Sequence, residues 1–336
     1  AVEKYGNLMK NPVGTGPFRF KQMVSGDSIT MERFDGYWGG PAKLDEIVFR
    51  VIPEAATRVA MLETGEVDFI DSIPGEQLPR LEANPDIRVV KSRGTPVRYL
   101  SFNFEKEPWD NLLVRQAVAH AVNIDDILLT MDGLGYKSIG VVGPMVFGYK
   151  PEIEELAFPY DLEKGKELLA EAGFPNGFKT VLWTTNSSED YVRNAQIIQA
   201  QIKKIGIDAE IKILDWAAYL DATLVGDTDM FLLGWSNLTQ DGGGCVFPNL
   251  HSSNAGSSNR SYYKNPEADK LIEATMITTD QAERLELLHA ANEYLTKDIA
   301  WLSLWHQVNI IAMRANVSGL QMSPVADWEL YPVDIN

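Results

Sequence analysis

The sequence is poor in the residues from which metal centres and disulfides are built. It contains one cysteine, Cys245, and four histidines among 336 residues. One cysteine excludes an intrachain disulfide and a tetrathiolate zinc or iron–sulfur site. The histidines are scattered, and none has the H-E-x-x-H spacing of a zinc enzyme. We therefore expect no metal and no cofactor, and packing or surface roles for His120, His289 and His306.

The usual signatures of catalysis are also missing. No Gly-x-Ser-x-Gly elbow occurs, and Cys245 has no partner in its motif that could act as a base. The glycines of Gly14-Thr15-Gly16 are followed by Pro17 and the alternating Phe18-Arg19-Phe20. This order predicts a turn before a strand, whereas a phosphate-binding loop opens a helix. We predict that the protein has no catalytic residue and is not an enzyme.

Positive charge is scarce, because 30 Lys and Arg face 47 Asp and Glu for a net charge of -17. Such a surface repels phosphate backbones, which argues against nucleic acid as a partner. No apolar run reaches the roughly 20 residues of a membrane span. The hydrophobic share of 45% is ordinary for a globular protein. At roughly 150 residues per domain, the length predicts two domains.

The first hundred residues have the alternation of β-strands. Segments 18–20 and 29–33 flank the turn sequence 25–27, which predicts a hairpin. Apolar residues at helical spacing predict a helix over 53–63, ended by Gly65. Further strands are predicted over 47–52, 67–70 and 97–104.

From residue 110 onward, helices enter the pattern. One helix is predicted around 113–122, and another runs from Asp161 as N-cap to Gly173. The glycines and prolines of 133–159 predict a long covering loop between them.

Residues 178–234 show the clearest periodicity. Strands over 178–183, 207–214 and 230–234 alternate with helices over 189–205 and 216–225. A β-α-β-α-β series predicts parallel strands joined by right-handed crossovers. The remainder is predicted as a loop over 236–260, two helices of which the second is capped by Asp280, and strands over 300–336.

Polar loops follow two of these strands, each beside a tryptophan. Trp183 precedes a polar stretch that contains Asn186, and Trp235 precedes one that ends at Asp241. Ligands of such sheets bind beyond the carboxyl ends of parallel strands. Aromatic walls with amides, hydroxyls and one carboxylate suit a polar or zwitterionic small molecule. The alternative is a pair of solvated loops beside core tryptophans.

Several motifs occur in order along the whole chain. They are Asn11-Pro12-Val13-Gly14-Thr15-Gly16-Pro17-Phe18, Phe34-Asp35-Gly36-Tyr37-Trp38, Val114-Arg115-Gln116-Ala117 with Ala121-Val122-Asn123, and Gly234-Trp235 followed by Leu250-His251-Ser252-Ser253. Together they resemble the extracytoplasmic substrate-binding proteins of peptide ABC importers, solute-binding protein family 5, which includes dipeptide, oligopeptide, glutathione and nickel binders.

This resemblance implies an α/β fold of the periplasmic-binding-protein type. The expected architecture is a two-lobe clamshell (type II, cluster C), in which each lobe is a mixed, mostly parallel sheet flanked by helices. The first lobe would comprise 1–104 and 306–336, and the second 105–305. Because the family carries its VGTGPF motif well inside a longer chain, we expect that about the first third, including the secretion signal, is missing here.

The resemblance also implies a function without chemistry. A small peptide or peptide-like ligand would be held between the lobes, and the closed form would dock on the ABC permease in the membrane. The full-length protein would be a monomer in the periplasm or a lipoprotein at the cell surface. The alternative is a sensory or chaperone-like binding module with no transport role.

The family pattern points to one acid in particular. Dipeptide and oligopeptide binders pair the peptide amino terminus with an Asp three residues after the tryptophan, where this chain has Leu238. Glutathione-type relatives carry the Asp six residues after it, which matches Asp241. We therefore predict that Asp241 pairs with a cationic group of the ligand.

The family's ligand-binding arginine has no direct counterpart, because Glu189 occupies its place. Arg193, or Arg98 beside Tyr99, could supply the missing cation. This departure puts an ordinary dipeptide in doubt and keeps modified peptides and amino-acid conjugates open. The predicted ligand-binding residues are Asp241, Trp235, Ser236, Asn237, Tyr99, Arg98, Trp183, Asn186, Tyr191 and Arg193.

Overall fold

The computed structural model describes residues 6–8 and 11–336. The strands are β1 (Phe18–Val24), β2 (Ser28–Arg33), β3 (Glu46–Arg50), β4 (Phe69–Asp71), β5 (Ile87–Phe102), β6 (Gly135–Tyr136), β7 (Phe178–Thr185), β8 (Ile207–Leu214), β9 (Met230–Trp235), β10 (Leu302–Arg314), β11 (Val317–Ser318), β12 (Gln321–Met322), β13 (Trp328–Glu329) and β14 (Asp334–Ile335). The α-helices are α1 (Ala55–Thr64), α2 (Leu78–Glu82), α3 (Leu112–Ala121), α4 (Ile124–Leu129), α5 (Leu162–Glu171), α6 (Glu189–Ile202), α7 (Trp216–Leu224), α8 (Gly243–Leu250), α9 (Pro266–Ile277) and α10 (Gln281–Lys297).

The chain divides into two compact units. The first comprises residues 1–92 and 309–336, and the second comprises residues 93–308. Residues 93–104 and 306–308, which were predicted for the first lobe, belong to the second unit. The reason is that Val97–Phe102 of β5 pairs antiparallel with β9.

The first unit is built from antiparallel strand pairs. β1 and β2 form the predicted hairpin, and β3 adds to β2. The end of β10 pairs with β4. Helix α1 ends at Gly65, whose positive φ of 78° allows the predicted C-terminal stop. β1–β2, β2–β3 and β4–β10 are thus antiparallel pairs, whereas the parallel pairs β7–β8 and β7–β9 lie in the second unit.

The second unit contains the predicted parallel core. β7 pairs in parallel with both β8 and β9, which confirms the β-α-β-α-β series. β9 is buried from Met230 to Leu233, as a central strand covered on both faces should be. β5 borders β9 on the other side and runs antiparallel to it.

Helix α6 packs on this sheet through the stripe predicted from its sequence. Tyr191, Ala195, Ile198 and Ile202 are all buried in one apolar cluster with Leu182 of β7. Full burial of each isoleucine stabilises the fold by about 1.5–3 kcal/mol. The stripe therefore fixes the start of α6 at the carboxyl end of β7.

Two of the predicted loops contain helical segments. Helix α8 lies inside the predicted loop 236–260, and a 3-10 turn over Pro151–Leu156 lies inside the predicted loop 133–159. Helix α8 contains two glycines and Pro248, so its intrinsic helix propensity is low. Burial of Cys245, Val246 and Leu250 overrides that propensity.

Candidate functional site

The carboxyl ends of β7 and β9 lie at one edge of the sheet, because the two strands are parallel neighbours. Trp235 is the last residue of β9, and its partner on β5 is Val97. Arg98 is opposite Gly234. The structure therefore brings the loop after Trp235 and the arginine of β5 to the same edge.

The loop that follows Trp235 is held by its own polar groups. The Trp235 indole donates from Nε1 to the carbonyl of Gly244 at 3.1 Å. Asn237, only 3% exposed, donates from Nδ2 to the Asp241 carbonyl at 2.8 Å. Ser236 is exposed. Bonds at both ends of the loop give Asn237 a positioning role and leave Ser236 free for solvent or a ligand.

Asp241 already has a cationic partner. Arg284 donates to both carboxylate oxygens, at 2.6 and 2.7 Å, and the Gly243 amide adds a bond of 2.8 Å. The Arg284 bond, helped by the backbone amides, holds the pKa of Asp241 below its usual range. The carboxylate is ionised, and a ligand ammonium would have to share it with Arg284.

Arg98 is the centre of a second charged group, on the opposite face of β5 from Tyr99. Its Nε donates to Asp190 at 3.2 Å. Its guanidinium carbon lies 4.8 Å from the ring centroid of Tyr191 and 5.4 Å from that of Trp305. Two aromatic rings and one carboxylate thus orient the arginine. Asp190 and Trp305 were missed by sequence reasoning because they are distant from Arg98 along the chain.

Two predicted site aromatics are part of the core. Tyr99 stacks on Trp301 with ring centroids 4.1 Å apart, and burial raises the pKa of its hydroxyl. Trp183 is buried in the same cluster, with the Lys212 ammonium 3.7 Å from its ring centroid. Both residues support the edge from inside the protein. Their direct contact with a ligand stays a prediction.

The remaining predicted residues lie along the loop and helix after β7. Asn186 has an exposed side chain and a backbone amide bonded to Leu214. Arg193 donates to the Thr130 carbonyl at 2.7 Å and lies 3.5 Å from Glu189. Arg193 is therefore already engaged, as Arg98 is with Asp190, so a ligand anion would have to share either of the two candidate cations with a protein partner.

A buried histidine below the Trp235 loop was expected only to pack. His306 is fully buried, neither ring nitrogen makes a hydrogen bond of good geometry within the described residues, and the Thr95 backbone offsets only part of the effect of burial on the pKa of the ring. With Thr95, Trp235 and Asn237 it lines a cavity of about 10 Å³. A Cβ on Gly143 would lie 2.1 Å from the His306 ring, so only glycine fits against it.

The His306 environment predicts a pH dependence of stability. Burial lowers the pKa of His306 to about 4, from an ordinary value of 6.5. Below pH 6.5 the His306 imidazole binds a proton in the unfolded chain but stays neutral in the folded chain. The free energy of unfolding therefore falls as pH falls towards 4. We expect the free energy of unfolding of the wild type to fall by about 2 kcal/mol between pH 7.5 and pH 5. The His306→Gln variant should not show this loss.

Urea unfolding of the wild type and the variant at both pH values measures this difference. The other titratable groups at the ring stay neutral over that range, because burial raises the pKa of Tyr136 and of Cys245 to about 12. Parallel pH profiles for the two proteins would show that His306 does not remain neutral in the folded state.

No helix within residues 6–8 and 11–336 is long and apolar enough to cross a bilayer. Over the same ranges, no three His, Cys, Asp or Glu side chains are grouped closely enough to hold a metal ion.

Comparison with known proteins gives a consistent result. The family described as bacterial extracellular solute-binding proteins, family 5 (middle part), matches residues 2–257. Heme-binding protein A of Haemophilus influenzae is 33% identical over 334 residues, which cover 98% of this chain and 61% of that protein. Glutathione-binding protein GsiB of Escherichia coli strain K12 is 33% identical over 349 residues, covering 100% of this chain and 67% of that protein.

Solved structures agree with the sequence matches. The periplasmic binding protein DppA of Helicobacter pylori, in complex with the peptide STSA, is 34% identical with a TM-score of 0.81. The match covers 97% of this chain and 64% of that chain. The predicted α/β fold of the periplasmic-binding-protein type is thereby confirmed. The chain spans between 61% and 67% of the length of these three relatives.

Proposed function

Because this chain belongs to family 5 of the bacterial extracellular solute-binding proteins, we propose that it captures a peptide or peptide-like small solute and delivers it to the permease of an ABC importer. Its family makes it a solute-binding protein and not an enzyme. The proposed location is extracytoplasmic, in the periplasm or at the cell surface as a lipoprotein.

The observation that supports a peptide-like ligand is the presence of both charges at one sheet edge. Asp241 carries a carboxylate on the loop after β9 and Arg98 a guanidinium opposite Gly234, and the ligand would share them with Arg284 and Asp190. A zwitterion presents an ammonium and a carboxylate, which these two groups complement. Trp235, which is partly exposed, adds aromatic surface at the same edge.

Two of the three named relatives favour the same ligand class, while heme-binding protein A is named for heme. GsiB is named for glutathione, a peptide derivative, and DppA was solved with the peptide STSA. The departures at Leu238 and Glu189 argue for a modified peptide or conjugate over an ordinary dipeptide. Solute capture would stabilise the closed form only if the ligand binds that form more tightly than the open one.

We expect Asp241→Asn to weaken binding of glutathione or STSA by about 10- to 100-fold, because a charge-assisted hydrogen bond contributes about 1.5–3 kcal/mol. Titration calorimetry of the wild type and the variant measures this loss. Asp208→Asn is the matched control, since Asp208 is exposed on β8. Its affinity should equal that of the wild type.

A second variant separates ligand binding from loop stability. Arg284→Gln removes the same ion pair but leaves the Asp241 carboxylate free for the ligand ammonium. It should bind at least as tightly as the wild type. Equal losses in Asp241→Asn and Arg284→Gln would reduce Asp241 to a structural residue. If the protein binds another class of solute but no peptide or peptide conjugate, the proposed ligand is wrong.

A further inference from the structure

We propose that Arg93 binds an oxyanion group of the solute, such as a carboxylate. This inference rests on the proposed function. Arg93 is exposed and is the first residue of the second unit. Its side chain makes no hydrogen bond or ion pair with the described residues. The other arginines of this unit are all bonded: Arg98, Arg115, Arg193, Arg260 and Arg284.

The guanidinium of Arg93 is nevertheless held in place. Its central carbon lies 5.0 Å from the ring centroid of Tyr136. The Tyr136 hydroxyl donates to the Gly94 carbonyl at 2.6 Å, and its ring stacks on His306 at 5.4 Å with an angle of 24°. Arg93 therefore rests on a ring that is itself fixed by a buried ring. This support lowers the entropic cost of presenting the guanidinium fork to a ligand.

No acid is paired with Arg93 among the described residues, and the carboxylate of Glu154 is bonded elsewhere. Glu154 accepts bonds from the Ser138 hydroxyl at 2.9 Å, the Ile139 amide at 3.2 Å and the Tyr149 hydroxyl at 3.2 Å. These three bonds tie the Glu154 carboxylate to the loop before α5. The net charge of the protein is -17, so an unpaired arginine is a local site of positive charge that attracts anions.

The geometry suits a planar oxyanion. A guanidinium binds a carboxylate or a phosphate through two parallel N–H···O bonds. A carboxylate would come from a peptide terminus or acidic side chain, and a phosphate from a phosphorylated solute. Arg93 would then supply, without giving up a protein partner, the cation that the family pattern lacks at Glu189, whereas Arg98 would have to share its guanidinium with Asp190.

The first experiment tests the anion site without any assumption about the natural solute. The side-chain Nε–Hε signals of the whole protein are followed by NMR during titration with acetate, phosphate and, as the neutral control, acetamide. Arg50 is the internal reference, because it is exposed on β3 and has no ion pair in the described part of the chain. We expect acetate to bind at Arg93 at least tenfold more tightly than at Arg50. Equal affinities at the two arginines would overturn the proposal, and stronger binding of phosphate would assign the site to a phosphorylated solute.

The second experiment connects the site to solute binding. STSA and its C-terminal amide are titrated into the wild type, Arg93→Gln and the matched control Arg50→Gln. We expect the wild type and Arg50→Gln to prefer the free acid by about tenfold, and Arg93→Gln to lose that preference. An unchanged preference in Arg93→Gln overturns the role of Arg93 while leaving the proposed function intact. If STSA fails to bind the wild type but acetate still selects Arg93, the peptide ligand is wrong and the anion site stands.

Discussion

Replacement of Arg115 by alanine should lower the free energy of unfolding by about 3–5 kcal/mol, because it leaves a buried polar cluster without its donor. Arg115 is 2% exposed and donates to the carbonyls of Trp109, Asp110 and Asp298 at 2.9, 3.0 and 2.9 Å. Its guanidinium also lies 4.4 Å from the ring centroid of Phe104. Urea unfolding followed by tryptophan fluorescence measures the loss.

Two controls make this result interpretable. Arg115→Lys keeps the charge but cannot reach all three carbonyls, so an intermediate loss is expected. Arg50→Ala removes an exposed arginine and should change stability by less than about 0.5 kcal/mol. A loss below 1 kcal/mol in Arg115→Ala would show that water or neighbouring donors replace the guanidinium. Arg115 lies in one of the family-like motifs, and the structure gives it a scaffolding role.

Gly177→Ala should destabilise the protein by about 3 kcal/mol through two additive effects. Gly177 has a positive φ of 71°, which costs a residue with a Cβ about 1–2 kcal/mol. A Cβ there would also lie 1.9 Å from the backbone oxygen of Gly206, which cannot move aside without shifting β8. Overpacking of this kind costs a further 1–3 kcal/mol.

Gly173→Ala separates the two effects, because Gly173 has a positive φ of 95° but open space around its Cα. We expect this control to lose only the backbone cost of about 1–2 kcal/mol. Thermal or urea unfolding of both variants gives the difference. Equal losses at the two positions would mean that the contact between Gly177 and Gly206 is not tight in solution.

Sequence reasoning succeeded where the signal is local. Helix α5 begins after Asp161, whose side chain accepts from the Lys164 amide as predicted. Helix α10 begins in the same way after Asp280. β8 has the predicted bounds, because the strand follows directly after Gly206, whose positive φ ends the preceding turn. Caps, stops and alternation act within a few residues, so one stretch of sequence is enough to recognise them.

The predicted ligand contacts stay predictions, and the sequence could not show which site residues are already paired, because pairing is decided over long distances. The sequence placed Asp241 and Trp235 together on one loop, as the structure does. It could not show that Arg284, from helix α10, takes both oxygens of Asp241. It also gave no sign that Arg193 would bond to Thr130, 63 residues away.

The sequence by itself determined the class of protein, the β-α-β-α-β order of residues 178–234 and the polar loops that follow β7 and β9, but not helix α8. Only the tertiary structure decided which charges at that edge are already paired and which, like Arg93, remain open. The physical reason is that periodicity and capping depend on neighbours in sequence. Ion pairs and ring stacks depend instead on side chains that β5, β6 and β10 bring together from distant parts of the chain.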